Sequence, residues 1–362
     1  MENISGFFRL VPDPRAANAR HDLMELLYIA LVSVLCGAKS CAEMAILGRL
    51  REKTLREVME LKHGVPSHDT FSQVFRHLDP KAFEEAFRKF MAAFAEAMGG
   101  EKVIAIDGKA LRRAFEKGKQ YAPQVMVTAW GSEMRMVLGC IGAQDGNEAK
   151  AALELLALVD IKGAIITADA LHCHREMAAT ILQKQGDYAL ALKGNQSGLL
   201  RSAEELLAQY KTKDFAETKE SSHGRREERR AVVIPAAALA LKHDFPGLCS
   251  IGKITSLREK DGKIETATHL YVLSRPLKPA QLLQVVRAHW GIENQQHWVL
   301  DVVLNEDLAR NRRNHGARNL AVLRRLALNI LRAEESKMPI THKIRHADWD
   351  NTFLFKLLGH MR

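Results

Sequence analysis

The stretch Val103-Ile104-Ala105-Ile106-Asp107-Gly108-Lys109 is an apolar run that closes on an acid. A second run of this kind, Ala164-Ile165-Ile166-Thr167-Ala168-Asp169, follows later in the chain. Both runs predict buried strands, and α/β domains place ligands where such strands end. If the two strands are neighbours, Asp107 and Asp169 meet at one edge of a sheet, where their charges repel each other unless a cation is bound.

A third acid, Glu293, lies in His289-Trp290-Gly291-Ile292-Glu293-Asn294, within a stretch over 280–303 that has the pattern of a long helix. Carboxylate oxygens suit Mg²⁺, and paired ions of this kind support phosphodiester chemistry. Taken singly, each acid has an ordinary explanation as a turn residue or a solvated helix residue. Together the three acids favour an enzyme that cuts or joins DNA backbones.

Composition points to a globular protein with a polyanionic partner. Of the 362 residues, 53 are Lys or Arg and 43 are Asp or Glu, which gives a formal charge of +10. A basic surface favours nucleic acid through counterion release. The cysteines are odd in number and scattered, as is typical of reduced thiols in a cytosolic protein. Neither a signal peptide nor an apolar run long enough to span a bilayer is evident, so we expect a cytoplasmic protein with no membrane partner.

The first part of the chain has helical patterns. We predict helices over 21–35, 67–78 and 83–98, with good N-cap chemistry at Ser67. A helix-turn-helix in which 67–78 reads DNA is compatible with this order, although any helical domain contains such pairs. Gly99-Gly100 is typical of a domain boundary.

The remainder has the order of an α/β domain. Strands are predicted over 103–107, 124–130 and 136–143, then a helix over 147–159, a strand over 164–169, a helix over 175–184 and a strand over 188–192. This order predicts a ribonuclease-H-like α/β catalytic core. A β-rich insertion over 195–275 and a helix over 317–334 complete it. The predicted organisation is a helical, possibly DNA-binding domain over 1–99, a catalytic domain over 100–335 and a tail over 336–362.

Several motifs along the chain carry a family resemblance. They are Pro66-Ser67-His68-Asp69-Thr70-Phe71, Ala105-Ile106-Asp107-Gly108-Lys109, Thr167-Ala168-Asp169-Ala170, Ala191-Leu192-Lys193-Gly194-Asn195-Gln196, His289-Trp290-Gly291-Ile292-Glu293-Asn294 and His297-Trp298-Val299-Leu300-Asp301. With these the chain resembles, nearly end to end, the ISAs1-family (H-repeat-associated) transposases of the broader IS4-like DDE group. The resemblance implies that Asp107, Asp169 and Glu293 are the catalytic and metal-binding triad, with Mg²⁺, or Mn²⁺ in its place, as cofactor.

The resemblance also implies an activity and its partners. A DNA transposase of this group cuts at the ends of its element and transfers the 3′-hydroxyl strands into target DNA. Its partners are double-stranded DNA, as terminal inverted repeats and target, and a second copy of the chain in a synaptic homodimer. Its place is the bacterial cytoplasm, on the nucleoid when bound. Two alternatives stay open: a nuclease or resolvase on the same fold, and a domesticated DNA-binding protein without transposition.

Some positions depart from the group, and others are candidate DNA contacts. Where the broader group has Tyr, Arg and Lys around its glutamate, this chain has Val286, His289 and Leu300. For the tryptophans, packing in a core is the favoured interpretation over stacking on a base. A cationic tract over 310–315, continued by Arg318, Arg324 and Arg325, is either a clamp on the DNA backbone or a solvated helix face. The candidate DNA contacts are Lys109, Lys193, Arg287, His289, Trp290, Asn294, Trp298, Arg310, Arg312 and Arg313.

One apparent metal motif is set aside. His172-Cys173-His174 has the composition of a metal cluster, but adjacent residues on a helix or strand point in different directions. We expect no metal there.

Overall fold

A computed structural model describes residues 4–97, 102–115, 123–210, 212–222 and 225–359. The predicted boundary at Gly99-Gly100, Met98 of the predicted helix and the end of the predicted tail lie outside the described residues. The same holds for the first two residues of a charge run in the predicted insertion, His223-Gly224-Arg225-Arg226-Glu227-Glu228-Arg229-Arg230. Within the described part all five cysteines are free, and four of them are buried.

In the described residues before the first strand, the chain forms six helices. Their bounds are α1 Ile4–Arg9, α2 Leu23–Leu35, α3 Cys41–Leu50, α4 Glu52–Leu55, α5 His68–His77 and α6 Pro80–Ala97. The Ser67 hydroxyl accepts a hydrogen bond from the Thr70 N–H at 3.2 Å and caps α5, as its sequence predicts. Helix α5 buries Phe71, Val74 and Phe75, so one face is occupied by packing. The proposed reading of DNA by α5 stays a prediction.

Nine strands of the described part of the chain form one mixed sheet at the centre of the fold. The strands are β1 Val103–Ala110, β2 Val125–Gly131, β3 Met136–Gly142, β4 Ile165–Ala168, β5 Asp187–Leu192, β6 Ala216–Ser222, β7 Arg225–Pro235, β8 Ser250–Lys260 and β9 Lys263–Leu273, in the order β3-β2-β1-β4-β5-β9-β8-β7-β6. Strands β1, β4 and β5 run parallel, whereas β2 and β3 are antiparallel. The first five strands have the ribonuclease-H-like arrangement, which confirms the predicted fold class.

The remaining helices cover the sheet or follow it. They are α7 Glu148–Leu158, α8 Arg175–Gln183, α9 Ser197–Gln209, α10 Ala237–His243, α11 Pro279–Gly291, α12 Trp298–Val302, α13 Gly316–Ala333, α14 Ile340–Trp349 and α15 Asn351–Gly359. A π-helical segment, Ile292–His297, joins α11 to α12, so the long helix predicted over 280–303 is continuous but not uniform.

The insertion extends the sheet that carries the site. Strand β9 pairs with β5, and β8, β7 and β6 follow outward. Residues 225–230 of the charge run are the start of β7. Across the β6–β7 hairpin, Glu228 lies 3.2 Å from Lys219 and Arg230 lies 3.8 Å from Glu217. Alternating charges form cross-strand pairs here, and opposite charges on facing strands stabilise a hairpin.

The predicted tail is folded, because α14 and α15 pack against the N-terminal helices and α13. The Cys36 thiol lies 3.5 Å from the Ala347 carbonyl oxygen, and the Lys343 ammonium donates to the Leu331 carbonyl at 3.0 Å. One apolar core includes residues from α1 to α15 together with Ala105 and Trp130 on one face of the sheet. The predicted domain boundaries at residues 99 and 335 stay predictions, although the same apolar core contains residues on both sides of each boundary.

Glu84 of α6 links the N-terminal helices to the sheet and to α13. Its carboxylate accepts hydrogen bonds from Arg318 Nη2 at 2.6 Å and from the Gly142 N–H at 3.0 Å. Both side chains are buried, at 4% and 9% exposure. Gly142 has no room for a side chain, since a Cβ atom there would lie 2.6 Å from the Arg318 guanidinium.

Glu84→Gln should lower the free energy of unfolding by about 3 kcal/mol, because it leaves the Arg318 cation buried without its counter-charge. The neighbouring Glu85, which forms an exposed pair with Lys89, provides the matched control, and Glu85→Gln should leave stability nearly unchanged. Urea denaturation followed by circular dichroism measures both. Equal stability of the two variants would contradict the role assigned to Glu84.

Candidate active site

The register of the parallel strands brings Asp107 and Asp169 together. Ile106 of β1 is paired with Ala168 of β4, so the next residue on each strand is the aspartate. Adjacent strands lie about 4.8 Å apart. Asp107 Oδ1 accepts a hydrogen bond from the Gly108 N–H at 2.9 Å, and Asp169 Oδ1 accepts one from the Leu171 N–H at 3.0 Å. Both carboxylates are thus oriented by backbone donors.

Glu293 reaches the same region from the π-helical segment. Helix α11 packs across β1 and β4, and the π segment that continues it contacts β1. Segments of π-helix are rare and occur frequently at functional sites, because the extra residue per turn shifts side chains around the helix axis. The structure therefore brings the three predicted acids to one edge of the sheet.

The pKa values show how closely these acids interact. Burial raises the pKa of Asp107 to about 7; the Gly108 N–H opposes this, and the charges of Asp169, Glu148 and Glu293 add to it. Burial and the charge of Asp169 also raise the pKa of Glu293. A cluster of this kind holds unbalanced negative charge, which a cation would relieve.

Two histidines lie one turn before and one turn after Glu293. His289 Nδ1 lies 3.1 Å from the Thr167 hydroxyl on β4, and His297 Nδ1 lies 3.5 Å from Asp107 Oδ2 on β1. Burial lowers the pKa of His289 to about 4, although the charge of Asp169 opposes it. Burial, with the charges of Arg325 and Lys109, lowers the pKa of His297 to about 3. Both rings are therefore neutral at neutral pH and hold the Glu293 helix against the strands.

His289 Nδ1 thus lies against Thr167, and a DNA contact by this residue stays a prediction. The surroundings of Lys109 argue against such a contact. The Lys109 ammonium lies 2.6 Å from Asp301 Oδ1 and 2.8 Å from Asp307 Oδ1, and its side chain is only 6% exposed. Because carboxylates already surround it, it is not available to a phosphate. The sequence could not reveal this, since the acids lie almost two hundred residues away.

The aromatic and amide candidates around Glu293 are exposed. Trp290 is 45% exposed and Trp298 is 56% exposed, so the favoured interpretation of both as core residues was wrong. Asn294, midway between them, is also exposed. Since the three residues are spaced four apart along one helical rod, they form a row on its surface.

The basic candidates divide into exposed and occupied side chains. Lys193, Arg310 and Arg313 are exposed, and Lys193 follows β5 at the same sheet edge as Asp169. Arg287 is paired with Glu220, and Arg312 donates to the Arg113 carbonyl oxygen at 2.9 Å.

The three arginines that follow the cationic tract are buried. Arg325 contacts Glu306 at 2.9 Å with both side chains fully buried, and Arg318 is paired with Glu84. Arg324 is 4% exposed and donates to the Lys39 carbonyl oxygen. Both interpretations of these three residues, as a DNA clamp and as a solvated face, were wrong, because α13 lies inside the core.

Glu148 and His172 also lie beside the predicted acids, although their sequence context did not identify them as site residues. Glu148 begins α7, and its Oε1 lies 3.3 Å from Nε2 of the fully buried His172. In the motif His172-Cys173-His174, Cys173 lies in the apolar core. His174 accepts a hydrogen bond from the Met177 N–H and thereby caps α8. The available signal for Glu148 was an acidic residue at the start of the predicted helix over 147–159, which follows the predicted strand over 136–143.

In the described ranges, no three or more His, Cys, Asp or Glu side chains are arranged so that they could hold a metal ion by themselves. Mg²⁺ is commonly bound by one or two carboxylates with waters and substrate phosphates, not by an all-protein cage. Within the same residues, no helix is both long enough and apolar enough to cross a bilayer.

Asp107→Asn should raise stability at pH 8 in the absence of divalent ions by roughly 2 kcal/mol, because the folded pKa lies above the ordinary value of 3.8. A carboxyl with a raised folded pKa loses stability as pH rises from its unfolded pKa through its folded pKa. The difference from wild type should therefore shrink towards pH 4. Denaturation at several pH values tests this, with exposed Asp214→Asn as control; a pH-independent difference would contradict it.

Comparison with known proteins agrees with this geometry. The family model described as "Transposase DDE domain" matches residues 98–330, and the one described as "DDE_Tnp_1-associated" matches residues 6–91. The chain is 34% identical to "Putative transposase YncI" of Escherichia coli O157:H7, over 92% of this chain and 88% of that protein. It is 31% identical to "H repeat-associated putative transposase YhhI" of Escherichia coli strain K12, over 99% and 97%.

A solved chain titled "Cryo-EM structure of piggyBac transposase synaptic complex with hairpin DNA (SNHP)" aligns at a TM-score of 0.44 and 13% identity, over 95% of this chain and 75% of that one. A similarity this weak does not bear on the assignment. The family models and the relatives do, and they confirm the predicted resemblance. The chain belongs to the DDE transposase family and is similar to its H repeat-associated members.

Proposed function

We propose that this protein is a DNA transposase in which Asp107, Asp169 and Glu293 bind divalent metal and carry out cleavage and strand transfer. The observation that supports this most directly is the convergence of three carboxylates in a chain of the DDE transposase family. Asp107 lies within β1, Asp169 directly follows the neighbouring β4, and Glu293 lies in the π-helical segment. Cleavage at the ends of an element frees a 3′-hydroxyl, which then attacks a phosphodiester of target DNA.

The residues fit the metal that this chemistry uses. Hard divalent ions take carboxylate oxygens. Burial first, and then the charges of Asp169, Glu148 and Glu293, raise the pKa of Asp107, and a bound cation would favour its ionised form. Mg²⁺, or Mn²⁺ in its place, would activate the attacking oxygen and stabilise the leaving one. Asp107, Asp169 and Glu293 would hold it together with phosphate oxygens of the DNA.

The surrounding residues keep these carboxylates in place. Backbone N–H groups orient both aspartates, and the neutral rings of His289 and His297 dock the Glu293 helix on β4 and β1. Because the rings are neutral, they do not neutralise the acids. Fixed geometry of this kind removes the cost of assembling the site during the reaction.

We place the DNA along the exposed row of Trp290, Asn294 and Trp298, next to Glu293. An exposed tryptophan offers a face on which an unpaired base can stack, which is worth about 1–3 kcal/mol per base. Lys193, Arg310 and Arg313 are free to contact phosphates and would supply the salt-dependent part of binding. Joining two element ends needs two active sites, which favours a homodimer on the DNA.

Asp169→Asn or Glu293→Gln should lower cleavage of element-end DNA by about a hundredfold or more, because stabilisation of transition-state charge is lost. Binding to the same DNA should survive, since the exposed contacts remain. Cleavage and joining are measured on gels with the chain's own flanking DNA and Mg²⁺, with exposed Glu176→Gln as control. Wild-type cleavage by a triad variant would remove that residue from the active site, and cleavage without joining by the wild type would favour a nuclease.

Trp298→Ala should weaken binding to end DNA that carries unpaired terminal bases by about tenfold, through loss of stacking. Trp349→Ala is the matched control, because Trp349 is 77% exposed on α14, away from the triad. Fluorescence anisotropy over a series of salt concentrations gives both affinities. Equal losses in the two variants would argue against a specific role for Trp298.

A further inference from the structure

Glu148 approaches the triad from the side of the sheet opposite to Glu293. Helix α7 packs with Ile104 and Ile106 on one face of β1, whereas α11 packs with Val103 on the other. Since alternate residues of a strand point to opposite faces, the two helices lie on opposite sides of the sheet. Glu148 is the first residue of α7, so its carboxylate comes to the sheet edge from that second side.

Gly108 makes this approach feasible. A Cβ atom at position 108 would lie 2.3 Å from Glu148 Cδ, 2.4 Å from Oε1 and 2.7 Å from Oε2. The carboxylate therefore lies directly against the backbone of the residue that follows Asp107. Any side chain at this position would displace it, which gives a physical reason for glycine after the first triad residue.

The ring of His172 contacts the Glu148 carboxylate and orients it. Its Nε2 lies 3.3 Å from Glu148 Oε1 and 3.9 Å from Asp169 Oδ1, so one ring atom faces two acids. Its Nδ1 is buried and has no hydrogen-bond partner in the described part of the chain. This arrangement assigns the ring proton to Nε2, where it can be donated to a carboxylate.

An ordinary structural role explains these contacts less well. A glutamate in the first turn of a helix interacts favourably with the helix dipole, and this interaction does not require contact with other side chains. Glu148 is instead held over Gly108 and His172, and no lysine or arginine forms an ion pair with it within the described residues. Its charge adds to that of the triad without a protein cation to balance it.

We propose that Glu148 is a fourth carboxylate of the metal-binding site, directed at the divalent ion by Gly108 and His172. The inference rests on the proposed function, because it concerns the same ion. It changes the site from three acids to four, with donors from both faces of the sheet.

Two variants test the proposal in complementary ways. Glu148→Gln removes the charge and keeps the shape, and Gly108→Ala keeps the glutamate but displaces its carboxylate. The atoms that the added methyl group would meet are the end of a flexible side chain, so the second variant should fold. Glu154→Gln, on an exposed position of the same helix, is the matched control.

Mn²⁺ binding to the full-length chain, followed by the electron paramagnetic resonance signal of the free ion, is the readout. We expect Glu148→Gln and Gly108→Ala to weaken binding by about tenfold or more, and Glu154→Gln to leave it unchanged. Circular dichroism and melting in EDTA establish that each variant is folded.

The outcomes separate this inference from the proposed function. Loss of Mn²⁺ affinity in Asp107→Asn together with wild-type affinity in both Glu148→Gln and Gly108→Ala would overturn the fourth carboxylate alone. Absence of Mn²⁺ binding by the wild-type chain would overturn the metal dependence of the proposed function as well. Weakened binding in Glu148→Gln supports the inference even where Gly108→Ala proves unstable.

Discussion

The candidate site depends on the ion pairs that the buried Lys109 ammonium forms with neighbouring carboxylates. Lys109 lies two residues after Asp107 on the same strand and the same face. It binds Asp301, on the continuous helix that carries Glu293, and Asp307, shortly after that helix ends. Glu306 extends this cluster to Arg325 of α13, with both of those side chains fully buried. One cation thus ties the strand of the first aspartate to the segment of the glutamate, and losing a member of such a cluster leaves a buried charge uncompensated.

The same edge of the sheet combines this stabilising cluster with a destabilising one. Burial and neighbouring acids raise the pKa of Asp107 to about 7, which means that ionising it in the folded chain costs stability. Functional sites commonly retain such costs, and the rest of the fold offsets them. Here the offset comes from a core that runs from the N-terminal helices through one face of the sheet to the C-terminal helices.

Strand patterns and capping chemistry were sufficient for much of the fold. The run before Asp169 is a strand that ends at Ala168, and Ser67 caps α5. The run before Asp107 is also a strand, but it continues to Ala110, so the predicted strand end at Asp107 was wrong. Two kinds of feature were not predictable. Trp290 and Trp298 are exposed although their residue type favours a core, and Arg318, Arg324 and Arg325 are buried although theirs favours solvent. For the arginines the deciding partners are distant in sequence, such as Glu84 for Arg318 and Lys39 for Arg324.

The sequence by itself determined the ribonuclease-H-like order of strands, the family resemblance and the three acids, because strand periodicity and local motifs are properties of neighbouring residues. Only the tertiary structure decided that Lys109 is enclosed by carboxylates, that His289 and His297 dock the Glu293 helix, and that Glu148 lies against Gly108. Charge balance and close approach depend on which residues meet in space, and long-range packing alone sets those meetings.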